Sequence, residues 1–186
     1  MRQHIDQNTY RVWVLDSIAE LRPEDRGQII VCGSHGGHSA AEYALAHPPR
    51  IVVFNDAGVG KQAAGIAALS RLEAAGIIAA TVGHDTAHIG DGLDSWRSGR
   101  LSHLNALARQ AGFRLGDPVA AALERCARRP AWRLCRLDDN GNRFVMARRL
   151  TQAQADSERA RFEALGHKQS YWIEIDDAPA PNQSEQ

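Results

Sequence analysis

The chemistry-bearing residues of this chain fall into three short polar clusters, each placed directly behind an apolar run. Gly33-Ser34-His35-Gly36-Gly37 follows Ile29-Ile30-Val31-Cys32, and Asn55-Asp56-Ala57-Gly58 follows Ile51-Val52-Val53-Phe54. The third cluster, Gly83-His84-Asp85-Thr86-Ala87-His88, follows Ile77 to Val82, with Asp91 close behind. Histidine titrates near neutrality and a carboxylate can orient it, so His35, Asp56, His84 and Asp85 are the candidate acid–base catalysts. In this reading His35 moves the proton, and Asp56 or Asp85 orients it or serves as a second base. Ser34, Gly36, Gly37, Asn55, Gly58, His88 and Asp91 are the candidate substrate contacts. The glycines belong there because their backbone can aim amide hydrogens at developing negative charge.

Several neighbouring patterns are weaker. Gly58-Val59-Gly60-Lys61 lacks the glycine required at Asn55 and the Ser or Thr required at Gln62, so it is not a nucleoside triphosphate loop. His84, Asp85, His88 and Asp91 are of types that ligate divalent metals, which leaves a divalent metal as an option with no ligand set specified. No organic cofactor is expected. Ser34 and His35 are adjacent on an extended segment and point in opposite directions, which argues against a Ser-His nucleophile. Cys32, Cys126 and Cys135 have apolar surroundings and read as core. His103 reads as structural.

Catalytic clusters of this kind need strands to present them. Continuous apolar runs separated by helix-length segments indicate a parallel sheet buried on both faces, whose ligands bind outside the carboxyl ends of the strands. Tyr10 to Leu15 reads as an opening strand and Arg22-Pro23-Glu24-Asp25 as a turn. Helices are expected over 39–46, over 62–75 with a stop at Gly76, over 94–97, over 101–111 and over 119–128. Beyond these, 132–137 and 143–148 flank an Asn140-Gly141 hairpin turn, 152–165 reads as a charged helix, and 171–175 as a short strand. The expected fold is α/β: a three-layer Rossmann-like core with a mostly parallel sheet, plus a C-terminal α+β hairpin and helix extension. Residues 1–177 are expected to form a single domain, with a disordered tail over 178–186, where Pro179 and Pro181 precede a polar end.

The 186 residues carry 22 Lys plus Arg against 22 Asp plus Glu, so no overall field draws the chain to nucleic acid or an anionic membrane. Three cysteines without a CxxC pair form no secreted disulfide framework, which points to the cytoplasm. The opening residues lack a signal-peptide core and no apolar run is long enough to span a bilayer, so a soluble protein is expected. The expected partner is a small polar or anionic molecule, with neither nucleic acid nor membrane; a homo-oligomer is left open.

Ser34-His35-Gly36 at a strand end is similar to the histidine motif of the caspase-like peptidases. The run from Ile51 through Val82, with Gly65-Ile66-Ala67-Ala68-Leu69 and Ala75-Gly76, resembles their cysteine-bearing strand, helix and following strand. The resemblance, which extends to bacterial CHAT domains, covers about a third of the chain and places Ala57 at the catalytic cysteine position. It therefore implies a caspase-like core without cysteine chemistry. Phe54-Asn55-Asp56-Ala57-Gly58 also resembles the Asp-nucleophile elbow of some α/β-hydrolases, with bulky Phe54 where that elbow has a small residue. The functional expectation is a small hydrolase or lyase acting on a carboxylate- or amide-bearing metabolite by His/Asp acid–base chemistry at the C-terminal edge of the sheet. The alternative is a non-catalytic ligand- or partner-binding module.

Overall fold

Alternation within the apolar runs sends neighbouring side chains to opposite faces, so a strand flanked on both sides must be apolar throughout. A computed structural model describes residues 1–7, 10–128, 131–166 and 168–176, and divides the chain into two compact units, Met1–Cys126 and Ala127–Gln186. The first unit is built on six strands: β1 (Arg2–Asp6), β2 (Arg11–Leu15), β3 (Ile29–His35), β4 (Ile51–Asn55), β5 (Ile78–Val82) and β6 (Leu101–Leu104). They lie side by side in chain order; β2 to β5 are parallel, while β1 and β6 run antiparallel to their neighbours.

The helices are α1 (His38–Ala46), α2 (Ala68–Ala74), α3 (Gly92–Arg97), α4 (Ala106–Gln110) and α5 (Val119–Ala127). On one face of the sheet Ile30, Cys32, Val52, Phe54 and Ala79 pack with Ala41 of α1 and Leu72 of α2. On the other, Val31, Val53, Ala80 and Val82 pack with Trp96 of α3, Ala108 of α4 and Leu123 of α5. The central strands are thus covered twice, as their composition requires. No helix among the described residues is long and apolar enough to cross a membrane.

Three sequence expectations are corrected. β3 continues to His35, so Gly33, Ser34 and His35 belong to the strand and not to the turn after it. The helix expected over 62–75 is shorter: Lys61–Ile66 is a kinked 3-10 segment in which Gln62 and Ala63 are left-handed (φ 56° and 58°), and α2 starts at Ala68. Gly65 follows the kink, its backbone so close to the Asp56 carbonyl that a Cβ would collide with that oxygen. The helix expected over 101–111 is a strand followed by a helix. Buried Asn105 enforces the break: its Oδ1 caps α4 by accepting from the Ala108 amide at 2.8 Å, and its Nδ2 donates to the Ile77 carbonyl at 2.9 Å. β1, polar and at the sheet edge, was not expected from the sequence.

In the second unit β7 (Trp132–Leu137), β8 (Arg143–Leu150) and β9 (Ser170–Ile175) form a separate antiparallel sheet in the order β8-β7-β9, accompanied by α6 (Gln152–Glu163). Asp138 holds the hairpin turn through the Asn140 and Asn142 amides, and Gly141 takes the left-handed conformation (φ 80°) that the Asn-Gly pair anticipates. A reciprocal Thr151–Gln154 capping box starts α6, and Phe162 stacks on Tyr171 of β9. The tail expected over 178–186 lies outside the described residues.

The edge strand β1 is locked by a charge pair. Arg2 grips the fully buried Asp25 carboxylate through two hydrogen bonds of 2.8 and 2.7 Å, the Arg22 amide adds a third, and the Arg2 guanidinium lies over the Trp13 ring. Removing one partner of a buried pair leaves an uncompensated charge. Asp25→Ala is therefore expected to lower the unfolding free energy by about 3–5 kcal/mol in urea titrations. A loss below about 1 kcal/mol, the range of exposed pairs, would contradict this role.

Candidate active site

The site begins where β4 ends. Asp56, the first residue past the strand, donates its amide to the Val82 carbonyl at 2.9 Å, which fixes it beside the end of β5. Its side chain is only 6% exposed. Oδ1 accepts from the Gly58 amide at 2.9 Å and the His84 amide at 3.0 Å, and stands 3.1 Å from His84 Nδ1. Burial raises the carboxyl's affinity for a proton, but hydrogen bonds from the Gly58 amide, the Ser102 hydroxyl and both donors of His84 outweigh it and hold Asp56 below the ordinary carboxylate range.

A third strand contributes from the far side. Thr81 pairs with His103 and Val82 with Leu101, so Ser102 is an extra residue, a bulge in β6. The bulge lets two consecutive side chains reach the same neighbour. Ser102 Oγ lies 2.9 Å from Thr81 Oγ1, and His103 Nδ1 lies 3.4 Å from Thr81 Oγ1 and 3.2 Å from Ser102 Oγ. His103 Nδ1 is also 3.9 Å from Asp56 Oδ2. One carboxylate thus sits between two imidazoles from different elements.

The loop after Asp56 is strained. Ala57, Gly58, Val59 and Gly60 all have positive φ, 49°, 68°, 65° and 68°. For a β-branched residue such as Val59 this is a genuine outlier. Such strain persists only where surrounding contacts over-determine the conformation. Those contacts are present: the Ala57 amide donates to Asn55 Oδ1, the Val59 amide to the Asp56 carbonyl, and the Gly65 amide to the Val59 carbonyl. Gly58 in turn lies against the His84 ring, where a Cβ would stand 3.5 Å from Cε1.

No protein-family model, curated protein or solved structure matches this chain.

Of the candidates read from the sequence, Asp56 and His84 meet directly, with Gly58 beside them. Asn55 is buried and serves the framework, donating from Nδ2 to the Ala87 carbonyl at 2.9 Å. His35 faces solvent one strand away, where its Nδ1 accepts from the Gly37 amide at 3.1 Å. The Gly36, Gly37 and Gly58 amides, expected to face developing negative charge, donate here to the Asn55 carbonyl, His35 and Asp56. Ser34 Oγ accepts from the Ile18 amide, and exposed Asp85 turns its carboxylate back toward Gly83. Asp91 caps α3 by accepting from the Asp94 amide, while His88 pairs with Asp94 on the surface at 2.7 Å. Cys32 is buried, which pushes its thiol up to about 12. Among the described residues no group of three His, Cys, Asp or Glu side chains is gathered to hold a metal ion.

Sequence reading missed Thr81, Ser102 and His103. The available signal was Asn105, a helix-capping residue type that places the start of α4 after His103 and leaves 101–104 to a strand.

Asp94 offers a test of this edge of the sheet. Hydrogen bonds from the His88 amide, the Ser98 hydroxyl and the His88 ring hold its carboxyl down at about 2, against 3.8 ordinarily. A carboxyl with a depressed folded-state value stabilises the fold above the ordinary value and loses that contribution as pH falls through the folded one. The stability difference between wild type and Asp94→Asn should therefore shrink as pH falls from about 4 to about 2, read by denaturant titration at each pH. A difference that does not vary with pH would rule this out.

Proposed function

We propose that the chain is a small acid–base enzyme, a hydrolase or lyase acting on a polar carboxylate- or amide-bearing metabolite, with His84 as the working imidazole and Asp56 as its orienting carboxylate. The observation that carries the reading is the nearly buried Asp56 carboxylate facing His84 Nδ1 at 3.1 Å, while the His84 side chain is 59% exposed. Orientation through Nδ1 leaves Nε2 for substrate and stabilises the imidazolium that forms on proton uptake. This replaces His35 as the proton-transfer residue.

Other features support it. The site stands at the carboxyl ends of β4 and β5, the edge where parallel sheets bind ligands. On this reading the first unit is a Rossmann-like core, its parallel run covered by helices on both apolar faces. Ala57 stands where the caspase-like resemblance has its cysteine and brings no nucleophile, in keeping with proton transfer. The three cysteines are free and buried, in keeping with a reducing compartment such as the cytoplasm.

The test is incubation of the protein with a panel of small carboxylates and amides, followed by proton NMR for chemical change. Conversion of at least one compound is expected, with His84→Ala lowering its rate by about 10²–10⁴-fold, the usual worth of a general acid–base group. Full activity in His84→Ala would overturn the assignment. Compounds that bind the wild type and stay unaltered across the panel would replace it with the binding-module reading.

A further inference from the structure

We propose that His84 and His103 act as one two-imidazole pair built on the single carboxylate of Asp56, the neutral ring taking a proton from substrate while the charged ring delivers one. The inference rests on the acid–base reading above and adds to it a second catalytic group and the kind of step it serves.

The geometry is that of a shared anion. Asp56 Oδ1 is 3.1 Å from His84 Nδ1. Oδ2 is 3.9 Å from His103 Nδ1, too far for a direct hydrogen bond. Across that gap the two groups face each other as an ion pair, with the Ser102 hydroxyl 3.2 Å from His103 Nδ1. Both rings turn Nδ1 toward the same buried charge, and both are partly open to solvent, at 59% and 37% of the side chain.

One carboxylate neutralises one imidazolium. A second imidazolium would stand beside the first and be repelled by it, so the pair holds one proton more readily than two. The other charged groups nearby do not change this. Asp85 turns back toward Gly83, and the Arg100 guanidinium donates to the Gly116 carbonyl. Thr81, which also faces His103, is neutral. A singly protonated pair contains an acid and a base at once, which suits a substrate that loses a proton at one atom and gains one at another. Protons balance over the step: the base ring keeps the proton it removes, the acid ring gives up the one it held, and exchange with water restores the starting arrangement.

The experiment compares nitrogen-15 histidine spectra of the full chain at one neutral pH, in wild type, Asp56→Asn, His84→Gln and His103→Gln. Both rings face the Asp56 carboxylate through Nδ1, so Asp56→Asn should shift the Nδ1 resonances of both. His84→Gln should shift the His103 signals, and His103→Gln those of His84, because each ring shares its anion with the other. Rings whose signals are unmoved by Asp56→Asn and by loss of the other would overturn the proposal. His84 is on an exposed loop, so His84→Gln keeps the test usable if a strand variant fails to fold. Coupling without conversion of any compound would sink the acid–base function while leaving the pair in place. Conversion that depends on His84, with independent rings, would sink the pair alone.

Discussion

An ionised carboxylate held almost out of water is the constraint on which the candidate site depends. Taking a charge out of water is costly unless hydrogen bonds replace the lost hydration. Asp56 meets that demand with donors from two places: the Gly58 amide in its own loop, and the amide and ring of His84 after β5. Each donor fixes a segment that the strand order alone would leave free. The loop after β4 takes four successive positive φ values to bring Gly58 under the carboxylate, and the bulge in β6 sets Ser102 against Thr81 and His103. The same bonds orient the imidazoles, so the stability of the strand ends and the poise of the site have one origin.

Close backbone approach lets the edge be assembled. Gly65 lies against the Asp56 carbonyl, and Gly33 lies so near the loop before α3 that a Cβ there would meet the Asp91 amide at 2.3 Å. Side chains at these positions would push the loops off the strand ends. Gly33 and Gly65 let segments pack, while the amides of Gly36, Gly37 and Gly58 donate to internal acceptors. The open polar groups of the site are side chains, above all the two imidazoles.

The central strands were legible because a strand buried on both faces must be apolar throughout, and Ile29 to Cys32, Ile51 to Phe54 and Ile78 to Val82 are. Asp56 and His84 were legible for the same reason, as the polar residues directly behind such runs. What stayed hidden depends on register and tertiary contact. Leu101 and Leu104 are three apart, a spacing that serves a helix as well as a short strand, and nothing local marks Ser102 as a bulge until Thr81 is placed opposite. Gln62 and Ala63 are ordinary helix formers that are left-handed in the segment leading into Gly65, a case of tertiary structure overriding propensity. Arg2 to Asp6 is a polar edge strand whose partner Asp25 is distant in sequence. His103 looked structural because its neighbours in sequence are not its neighbours in the site.

The claim that Asp56 is the ionised centre of this arrangement is most directly tested by following its carboxyl carbon by carbon-13 NMR as pH is lowered. The midpoint is expected below the ordinary value of 3.8, because the hydrogen bonds from Gly58, Ser102 and His84 favour the charged form more than burial disfavours it. A midpoint at or above 3.8 would mean that burial wins, that the carboxyl is not held as an anion between the two histidines, and that the site is organised by something else.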